Sequence, residues 1–403
     1  MTSYSPGRMN FGAFFAPFHA DGVNPTLTFQ RDLRLIQWLD ELDYDEVWLG
    51  EHHSGAYECI SSPELLIATA AERTRRIRLA TGVQSVAYHH PLILADRIIQ
   101  LDHLTRGRLI FGVGPGQLIA DAYMMGVDPA DLRRRLDEAL SVLIPLMRGE
   151  VVTRETDWFT LREARCHILP YQYPTMEIAV ASAVSPTGAR MAGKYGAAML
   201  SVAASSPEGF RQLANHWAIC EEKAAEHGQQ VSRDNWRVVT PFHIAETREQ
   251  AVADLRFGLM DMMRYFKKFG GSLFPQATSF DEAMNLWTTG GLGAFGVGVV
   301  GTPDDMIAHI EKLQAQSGGF RTFLALAHNA ADFDATCKSY ELFARHVAPR
   351  FQHSNNNRAA SLDWAATNAD RFMQAYVGGI DQAVRDHEAE QAGKRSGAAV
   401  AAR

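Results

Sequence analysis

The chain has 403 residues, of which 46% are hydrophobic and 21% are charged, and its formal net charge at pH 7 is −7. This is the composition of an ordinary globular protein, and an acidic balance with no basic cluster argues against nucleic acid or an anionic membrane as a partner. The sequence has no uninterrupted apolar run of about 18 residues, and its first residues, MTSYSPGRMNFG, lack the pattern of a signal segment. We therefore expect no membrane partner and a cytoplasmic location.

The four cysteines are far apart in the sequence and form no C-x-x-C pair. They are Cys59, Cys166, Cys220 and Cys337. This spacing indicates neither a disulfide framework nor a thiolate metal site, so we expect four reduced thiols.

Short β-type runs alternate along the chain with amphipathic helical stretches, which predicts a parallel sheet whose strands are joined by helices. The eight predicted strands cover residues 10–17, 45–50, 77–83, 108–114, 176–182, 197–202, 236–244 and 321–327. Eight such strands fit a closed barrel better than a doubly wound sheet. The predicted fold class is therefore α/β, a (β/α)8 TIM barrel.

Three helices have clear sequence signals. Asn24-Pro25 marks the start of the first, and Ser62-Pro63 supplies a serine cap and a first-turn proline for the second. The stretch 128–148 is strongly patterned, with Pro145 expected to kink or shorten its end.

The predicted barrel domain spans residues 1–350, with a long insertion at 245–320 between strands seven and eight. A helix over 246–268 opens the insertion, and the Gly-rich stretches GGSLFPQA and TTGGLGAFGVGVVGTP follow it. They contain too many glycines for a packed element and predict a mobile loop. Residues 351–403 are predicted to be a C-terminal extension that is partly helical, near 361–390, and partly disordered.

The active site of such a barrel lies at the carboxyl ends of its strands. After strand five, the segment ASAVSPTGAR places Ser182, Ser185, Thr187 and Gly188 in a hydroxyl-rich turn directly before a helix. Free backbone N–H groups and the positive end of the helix favour an anion there, and a phosphate fits well. An ordinary serine or threonine helix cap explains the same residues equally well.

Adjacent histidines follow strands two and three, as His52-His53 and His89-His90. Successive residues of an extended strand point in opposite directions, so neither pair can face one ion without a bend. We predict no metal site, although a metallohydrolase stays an alternative that elemental analysis would test.

The common nucleotide motifs are missing from the sequence. GVGPGQ spaces Gly112, Gly114 and Gly116 as G-x-G-x-G, whereas a dinucleotide fingerprint needs G-x-G-x-x-G opening a helix. Neither a G-x-x-x-x-G-K-[ST] phosphate loop nor a G-x-S-x-G nucleophile elbow occurs.

At these strand ends the sequence resembles the luciferase-like flavin monooxygenases, from Asn10 to about Arg350. The matching stretches are FGAFFAP, DEVWLGEHH, HPLILADRIIQLDHLTRGRLIFGVG, SPTGARMAGKYG and VGTPDDMIAHI. The resemblance implies FMN as the cofactor, bound as FMNH2 and supplied by a separate NAD(P)H-dependent flavin reductase. It also implies reaction with O2 to a flavin C4a-hydroperoxide, which transfers one oxygen atom to a small apolar substrate.

Epoxidation of a monoterpene such as limonene is the reaction that the resemblance favours, in a homodimeric enzyme. A Baeyer–Villiger oxidation of a ketone stays open, as does hydride transfer by a deazaflavin-dependent oxidoreductase on the same barrel. A flavin-binding barrel without catalysis is a further alternative.

The resemblance also assigns residues. His52 matches the family's catalytic histidine beside the flavin, and Trp48 and Glu51 flank it. Gln84-Ser85 matches a non-prolyl cis peptide bond beneath the flavin ring. Ser182, Ser185, Thr187 and Gly188 match the phosphate-binding turn, and Gly114 ends strand four at the cofactor.

An imidazole at His52 is expected to exchange a proton near neutral pH, while His53 points away and serves packing. One departure concerns the turn after strand four. Some family members place an arginine for the flavin phosphate there, whereas this chain has Pro115 and Gln117.

Overall fold

The computed structural model describes residues 4–16, 18–270, 276–290 and 296–401. The chain divides into two compact units, one ending at Gln352 and the other beginning at His353.

The strands of the described residues include all eight that the sequence predicted, each within two residues of its expected bounds. In chain order they are β1 (Asn10–Phe15), β2 (Glu46–Leu49), β3 (Arg78–Thr81), β4 (Gln84–Ser85), β5 (Leu109–Gly114), β6 (Val152–Glu155), β7 (Thr160–Ala164), β8 (Ile178–Ser182), β9 (Ala198–Ser201), β10 (Trp236–Ile244), β11 (Val299–Gly301) and β12 (Thr322–Ala327).

Parallel pairing joins the barrel strands in the order β1, β2, β3, β5, β8, β9, β10, β12. The barrel closes where β12 returns to β1, with Asn10 opposite Thr322 and Phe15 opposite Ala327. This confirms the predicted (β/α)8 barrel. Three additions were not predicted: β4 pairs with the end of β5, β6 and β7 form a separate antiparallel pair, and β11 extends the sheet beyond β10.

Helices alternate with the strands. They are α1 (Pro25–Glu41), α2 (Pro63–Ala71), α3 (Pro91–Leu104), α4 (Ile119–Met124), α5 (Leu132–Met147), α6 (Thr187–Tyr195), α7 (Pro207–Glu226), α8 (Arg248–Asp254), α9 (Leu259–Gly270), α10 (Phe280–Thr289), α11 (Pro303–Ser317), α12 (Phe333–Leu342), α13 (Ala348–Gln352), α14 (Asn356–Thr367) and α15 (Ala369–Ala401).

The three helix predictions differ in outcome. Asn24 caps α1 as expected, because its side chain accepts a hydrogen bond from the Thr26 backbone N–H at 2.9 Å. The expected Ser62 cap is wrong, since that hydroxyl donates to the Glu64 carboxylate instead. Pro145 lies inside α5, which ends two residues later.

Among the described residues, two large apolar layers form most of the core, and a small cluster around Ala122 lies apart from them. The outer one lies between strands and helices and includes Ile36 and Phe111, while the inner one fills the barrel around Trp48 and Leu324. The inner layer requires a glycine at Gly112, where a Cβ would lie 2.0 Å from the Thr81 carbonyl oxygen. The barrel is therefore a packed core, and chemistry is confined to its ends.

The long connection between β10 and β12 carries more regular structure than its glycines suggested. The helix expected over 246–268 is two helices, α8 and α9, and α10 follows. The prediction of unpacked chain was wrong for Val299–Gly301, which pairs in parallel with β10. Residues 271–275 and 291–295 lie outside the described residues, so the mobility of this loop stays a prediction.

The C-terminal unit contains α14 and α15, where the sequence predicted one helix near 361–390. In the part of the chain that the structure describes, none of the helices combines the length and apolar character needed to span a membrane. All four cysteines lie within the described ranges and are free thiols, as predicted.

Candidate active site

The carboxyl ends of β2, β3 and β5 bring four of the predicted residues together. Gln84 and Ser85 form β4, which pairs with the end of β5 and sets Ser85 beside Gly114. Glu51, two residues beyond β2, accepts hydrogen bonds from the Gln84 side chain at 2.7 Å and from the Ser85 backbone N–H at 2.6 Å. The Glu51 carboxylate therefore links the end of β2 to β4, and β4 in turn pairs with the end of β5.

Glu51 also binds two histidines. His53 Nε2 lies 2.9 Å and His89 Nε2 2.7 Å from its Oε1 atom. Burial raises the pKa of Glu51, but the hydrogen bonds from His53, His89 and Ser85 outweigh burial and lower it. Glu51 is thus a buried carboxylate that organises the mouth of the barrel. His53 points to a different partner from His52, as predicted, but it serves this polar cluster rather than apolar packing.

His52 lies between two other carboxylates. Its Nδ1 is 3.2 Å from Asp121 Oδ2 and its Nε2 is 3.0 Å from Glu58 Oε2. Burial lowers the pKa of His52, but the charges of Glu58 and Asp121 outweigh it and raise the pKa to about 10. This arrangement favours the protonated ring, and the expected proton exchange of His52 near neutral pH stays a prediction.

Asp121 carries no recognisable motif; it lies on α4, 69 positions along the chain from His52. Its carboxylate also accepts hydrogen bonds from the His53 backbone N–H and the Ser54 hydroxyl. Glu58 lies within the segment GEHHSGAYE, in which the two histidines were the predicted functional residues. Its backbone bridges to Phe18 after β1. Both carboxylates were missed because only the folded barrel brings them to His52.

The turn after β8 supplies a second feature of the mouth. Ser182 is buried with its hydroxyl 3.5 Å from His216 Nδ1, whereas Ser185 is exposed and Thr187 begins α6. The residue before α6 is Pro186, and no side chain of the described residues caps this helix. The turn is therefore not the ordinary helix cap that the sequence also allowed, and its first N–H groups are left for another acceptor.

Gly188 fixes the geometry of this turn. A Cβ at Gly188 would lie 2.1 Å from the Ala181 carbonyl oxygen and 2.5 Å from the Ser182 Cα atom. Only glycine lets α6 approach the end of β8 this closely. The amino end of the helix is thereby held at the barrel mouth.

Two predicted positions need correction. The non-prolyl cis peptide bond joins Gly82 and Val83, two residues before the expected Gln84-Ser85. The Trp48 side chain is completely buried in the barrel, and its indole N–H donates to Glu46 at 3.0 Å, toward the amino end of β2. The predicted contact of Trp48 with a cofactor receives no support from this position.

Within the described ranges, no group of three or more histidine, cysteine or acidic side chains is arranged to hold a metal ion. The histidines of the mouth instead share their nitrogens with Glu51, Glu58 and Asp121.

A closed parallel barrel whose strand ends carry clustered carboxylates, histidines and an uncapped helix is the architecture of an α/β-barrel enzyme. The family model described as luciferase-like monooxygenase matches residues 9–322. The chain belongs to this family and is a monooxygenase.

Two relatives are equally similar in sequence. The chain is 46% identical to limonene 1,2-monooxygenase of Rhodococcus erythropolis, over 88% of this chain and 93% of that protein. It is also 46% identical to 4-hydroxyprotoasukamycin monooxygenase of Streptomyces nodosus subsp. asukaensis, over 90% of this chain and 97% of that protein.

A solved structure shares the fold. It is the oxygenating constituent of 3,6-diketocamphane monooxygenase of Pseudomonas putida, a type II Baeyer–Villiger monooxygenase in complex with FMN. The TM-score is 0.70 at 25% identity, covering 85% of this chain and 98% of that one.

Proposed function

We propose that the protein is the oxygenase of a two-component system, which uses FMNH2 and O2 to epoxidise a small apolar monoterpene such as limonene. The observation that carries this proposal is the 46% identity to limonene 1,2-monooxygenase across nearly the whole of both chains. The second relative has the same identity, so identity alone does not choose the substrate.

Apolar residues of α9 near the barrel mouth favour a hydrocarbon as the substrate. Met262 and Met263 of α9 are buried against the inner apolar layer, together with Phe14 at the end of β1. Apolar lining with a few placed polar groups is typical of sites for small organic ligands. Apolar residues at this position favour a monoterpene over a large polar substrate.

FMN fits the residues of the turn after β8. The uncapped start of α6 offers backbone N–H groups and the positive end of a helix to a phosphate, and the exposed Ser185 hydroxyl is free to donate. Gly188 lets the start of α6 lie directly against the end of β8. Ser185, Thr187 and Gly188 would hold the phosphate, while Glu51, Gln84, Ser85 and Gly114 would shape the floor near the ring.

Reduced FMN, when bound, would supply the electrons that activate O2, so that one oxygen atom of O2 reaches the substrate and the other leaves as water. The chain's own residues orient and shield this chemistry. Glu51 holds the strand ends together, and His52 contributes a positive charge and an N–H group at the mouth. Tyr265 and Met262 of α9 exclude water from above, which strengthens electrostatic interactions in the site.

The proposed system includes a separate flavin reductase, because the turn after β5 has Pro115 and Gln117 instead of an arginine for the phosphate. Weak flavin binding suits a reduced flavin that arrives by diffusion. A homodimer and a cytoplasmic location belong to the same proposal. Sedimentation of the purified chain would test the dimer directly.

The decisive experiment is a single turnover of the protein with chemically reduced FMN, O2 and a panel of substrates. We expect limonene epoxide, with hydrogen peroxide as the minor product, and no NADH consumption by the protein alone. A lactone formed from a bicyclic ketone, with no epoxide formed from limonene, would show that the reaction is a Baeyer–Villiger oxidation and not an epoxidation. Peroxide alone from every substrate would refute the proposed substrate class, and rapid NADH oxidation without a reductase would refute the two-component system.

A further inference from the structure

The two ring nitrogens of His52 face different carboxylates that come from different parts of the chain. Asp121 of α4 faces Nδ1 and Glu58 of the β2–α2 connection faces Nε2, at 3.2 and 3.0 Å. Both carboxylates are almost completely buried, with side-chain exposures of 3% and 6%. A neutral imidazole has only one N–H group, so a ring with a carboxylate at each nitrogen is stabilised with both nitrogens protonated.

The two contacts differ in kind. Asp121 makes a hydrogen bond to Nδ1 and thereby fixes the plane of the ring. Glu58 Oε2 forms an ion pair with Nε2 at 3.0 Å, and no other donor among the described residues satisfies this buried oxygen. Glu58 therefore balances the charge of the ring from the Nε2 side, and the His52 side chain keeps an exposed fraction of 17%.

Several other titratable groups lie around His52. Glu51 is committed to Gln84, Ser85, His53 and His89, and it is a separate carboxylate from the two that face His52. The phenols of Tyr57 and Tyr265 approach from the β2–α2 connection and from α9, and burial raises both pKa values. Burial likewise raises the pKa of Tyr88 to about 12, so these three phenols stay neutral at physiological pH.

We propose that Glu58 and Asp121 are positioning residues that keep the His52 ring doubly protonated and fixed, so that it acts as a stationary cationic N–H donor toward the reacting oxygen. In this arrangement the ring does not shuttle a proton. The inference rests on the proposed function for the identity of the acceptor, but the state of the ring follows from its two carboxylates.

The state of the ring is measured by NMR titration of the full-length protein labelled in its histidine rings, with the His52 signal assigned from a His52→Asn variant. We expect His52 to stay protonated from about pH 6 to about pH 9. Glu58→Gln and Asp121→Asn should each lower the titration midpoint by about 1 to 3 units. Glu58→Asp and Asp121→Glu keep the charge and should largely restore the midpoint.

Glu64→Gln is the matched control, because Glu64 is a buried carboxylate of α2 that bonds to Ser62 outside this cluster. It should leave the His52 midpoint unchanged. A His52 ring that titrates between about pH 6 and 7 in the wild type overturns the proposal. So does an unchanged midpoint in Glu58→Gln. The wild-type titration by itself tests whether His52 is protonated, even if a variant fails to fold.

The catalytic readout is epoxide formed per reduced flavin as a function of pH. We expect a flat wild-type profile and, in Glu58→Gln, a loss of kcat as the pH rises through the new His52 midpoint, with little change in KM. A Glu58→Gln profile as flat as that of the wild type overturns the donor role. If His52 titrates as expected but no substrate is oxygenated, the positioning of His52 is supported and the proposed function fails.

Discussion

Tyr57 and Tyr265 stack with their ring centroids 4.3 Å apart and their planes 15° apart. Tyr57 belongs to the connection that also carries His52 and Glu58, whereas Tyr265 lies on α9 in the long connection between β10 and β12. The stack therefore joins the cover of the mouth to the segment that holds the central histidine. A change in the position of α9 must either break this stack or move the β2–α2 connection with it.

Replacing Tyr265 by leucine should loosen α9, because an aromatic pair contributes about 0.5–1.5 kcal/mol beyond its buried area. We expect faster amide hydrogen exchange over 259–268 and more hydrogen peroxide per turnover. Tyr265→Phe keeps the ring and serves as the control. Exchange rates in Tyr265→Leu that equal those of Tyr265→Phe would show that the stack does not hold α9.

The double variant Ser185→Ala, Thr187→Ala should weaken FMNH2 binding at least about tenfold. Each hydroxyl is expected to donate to a phosphate oxygen, and a hydrogen bond to a charged group contributes about 1.5–3 kcal/mol. Riboflavin, which has no phosphate, should bind both proteins alike. If the wild type binds riboflavin and FMN equally well, the turn is not a phosphate site.

Gly188→Ala should disturb the same turn through the backbone. The added Cβ would lie 2.1 Å from the Ala181 carbonyl oxygen, so α6 must move away from β8. Overpacking of this kind costs about 1–3 kcal/mol, and flavin binding should fall with it. Gly7→Ala is the control, because a Cβ there meets nothing within 4 Å. Equal melting temperatures and flavin affinities in the two variants would contradict this account.

The protonated His52 ring should stabilise the fold in a pH-dependent way. Its pKa is about 10 in the folded chain against 6.5 for the free side chain. The raised value means that its contribution to the free energy of unfolding is complete below about pH 6.5 and is lost as the pH rises to about 10.

Urea unfolding of the wild type and of His52→Gln at about pH 6, 8 and 10 tests this sign. The difference in stability between the two proteins should shrink as the pH rises. A difference that is constant or grows with pH would show that the carboxylates do not raise the pKa of His52.

Arg237 is a buried cation at the amino end of the barrel, 2.7 Å from Glu46 and 2.6 Å from Glu177. Arg237→Met leaves the fully buried Glu46 without its main counter-charge and should cost about 3–5 kcal/mol in the free energy of unfolding. Arg248→Met is the matched control, because Arg248 pairs with Asp305 at the surface, where the substitution should cost far less. Similar costs for the two variants would exclude a special role for the buried pair.

Local sequence patterns predict much of the fold. The apolar run Trp236–Ile244 was predicted with the bounds that β10 has, because alternation and apolar content along a few residues identify a buried strand. The count of eight such strands predicted the barrel. The hydroxyl residues directly before a helix predicted the turn after β8. Even the Gly-rich connection was located, although the pairing of Val299–Gly301 with β10 was missed.

The sequence by itself thus determined the barrel, the family and the positions of Glu51, His52, Gln84 and Ser85 at one mouth. Only the tertiary structure decided which carboxylate each histidine meets, since Asp121 reaches His52 across 69 positions when the barrel closes. It also decided that Trp48 points into the core and that the cis peptide bond lies at Gly82-Val83. The physical reason is that periodicity reports which face of an element is buried, whereas a charge's partner and pKa depend on groups that other elements bring to it.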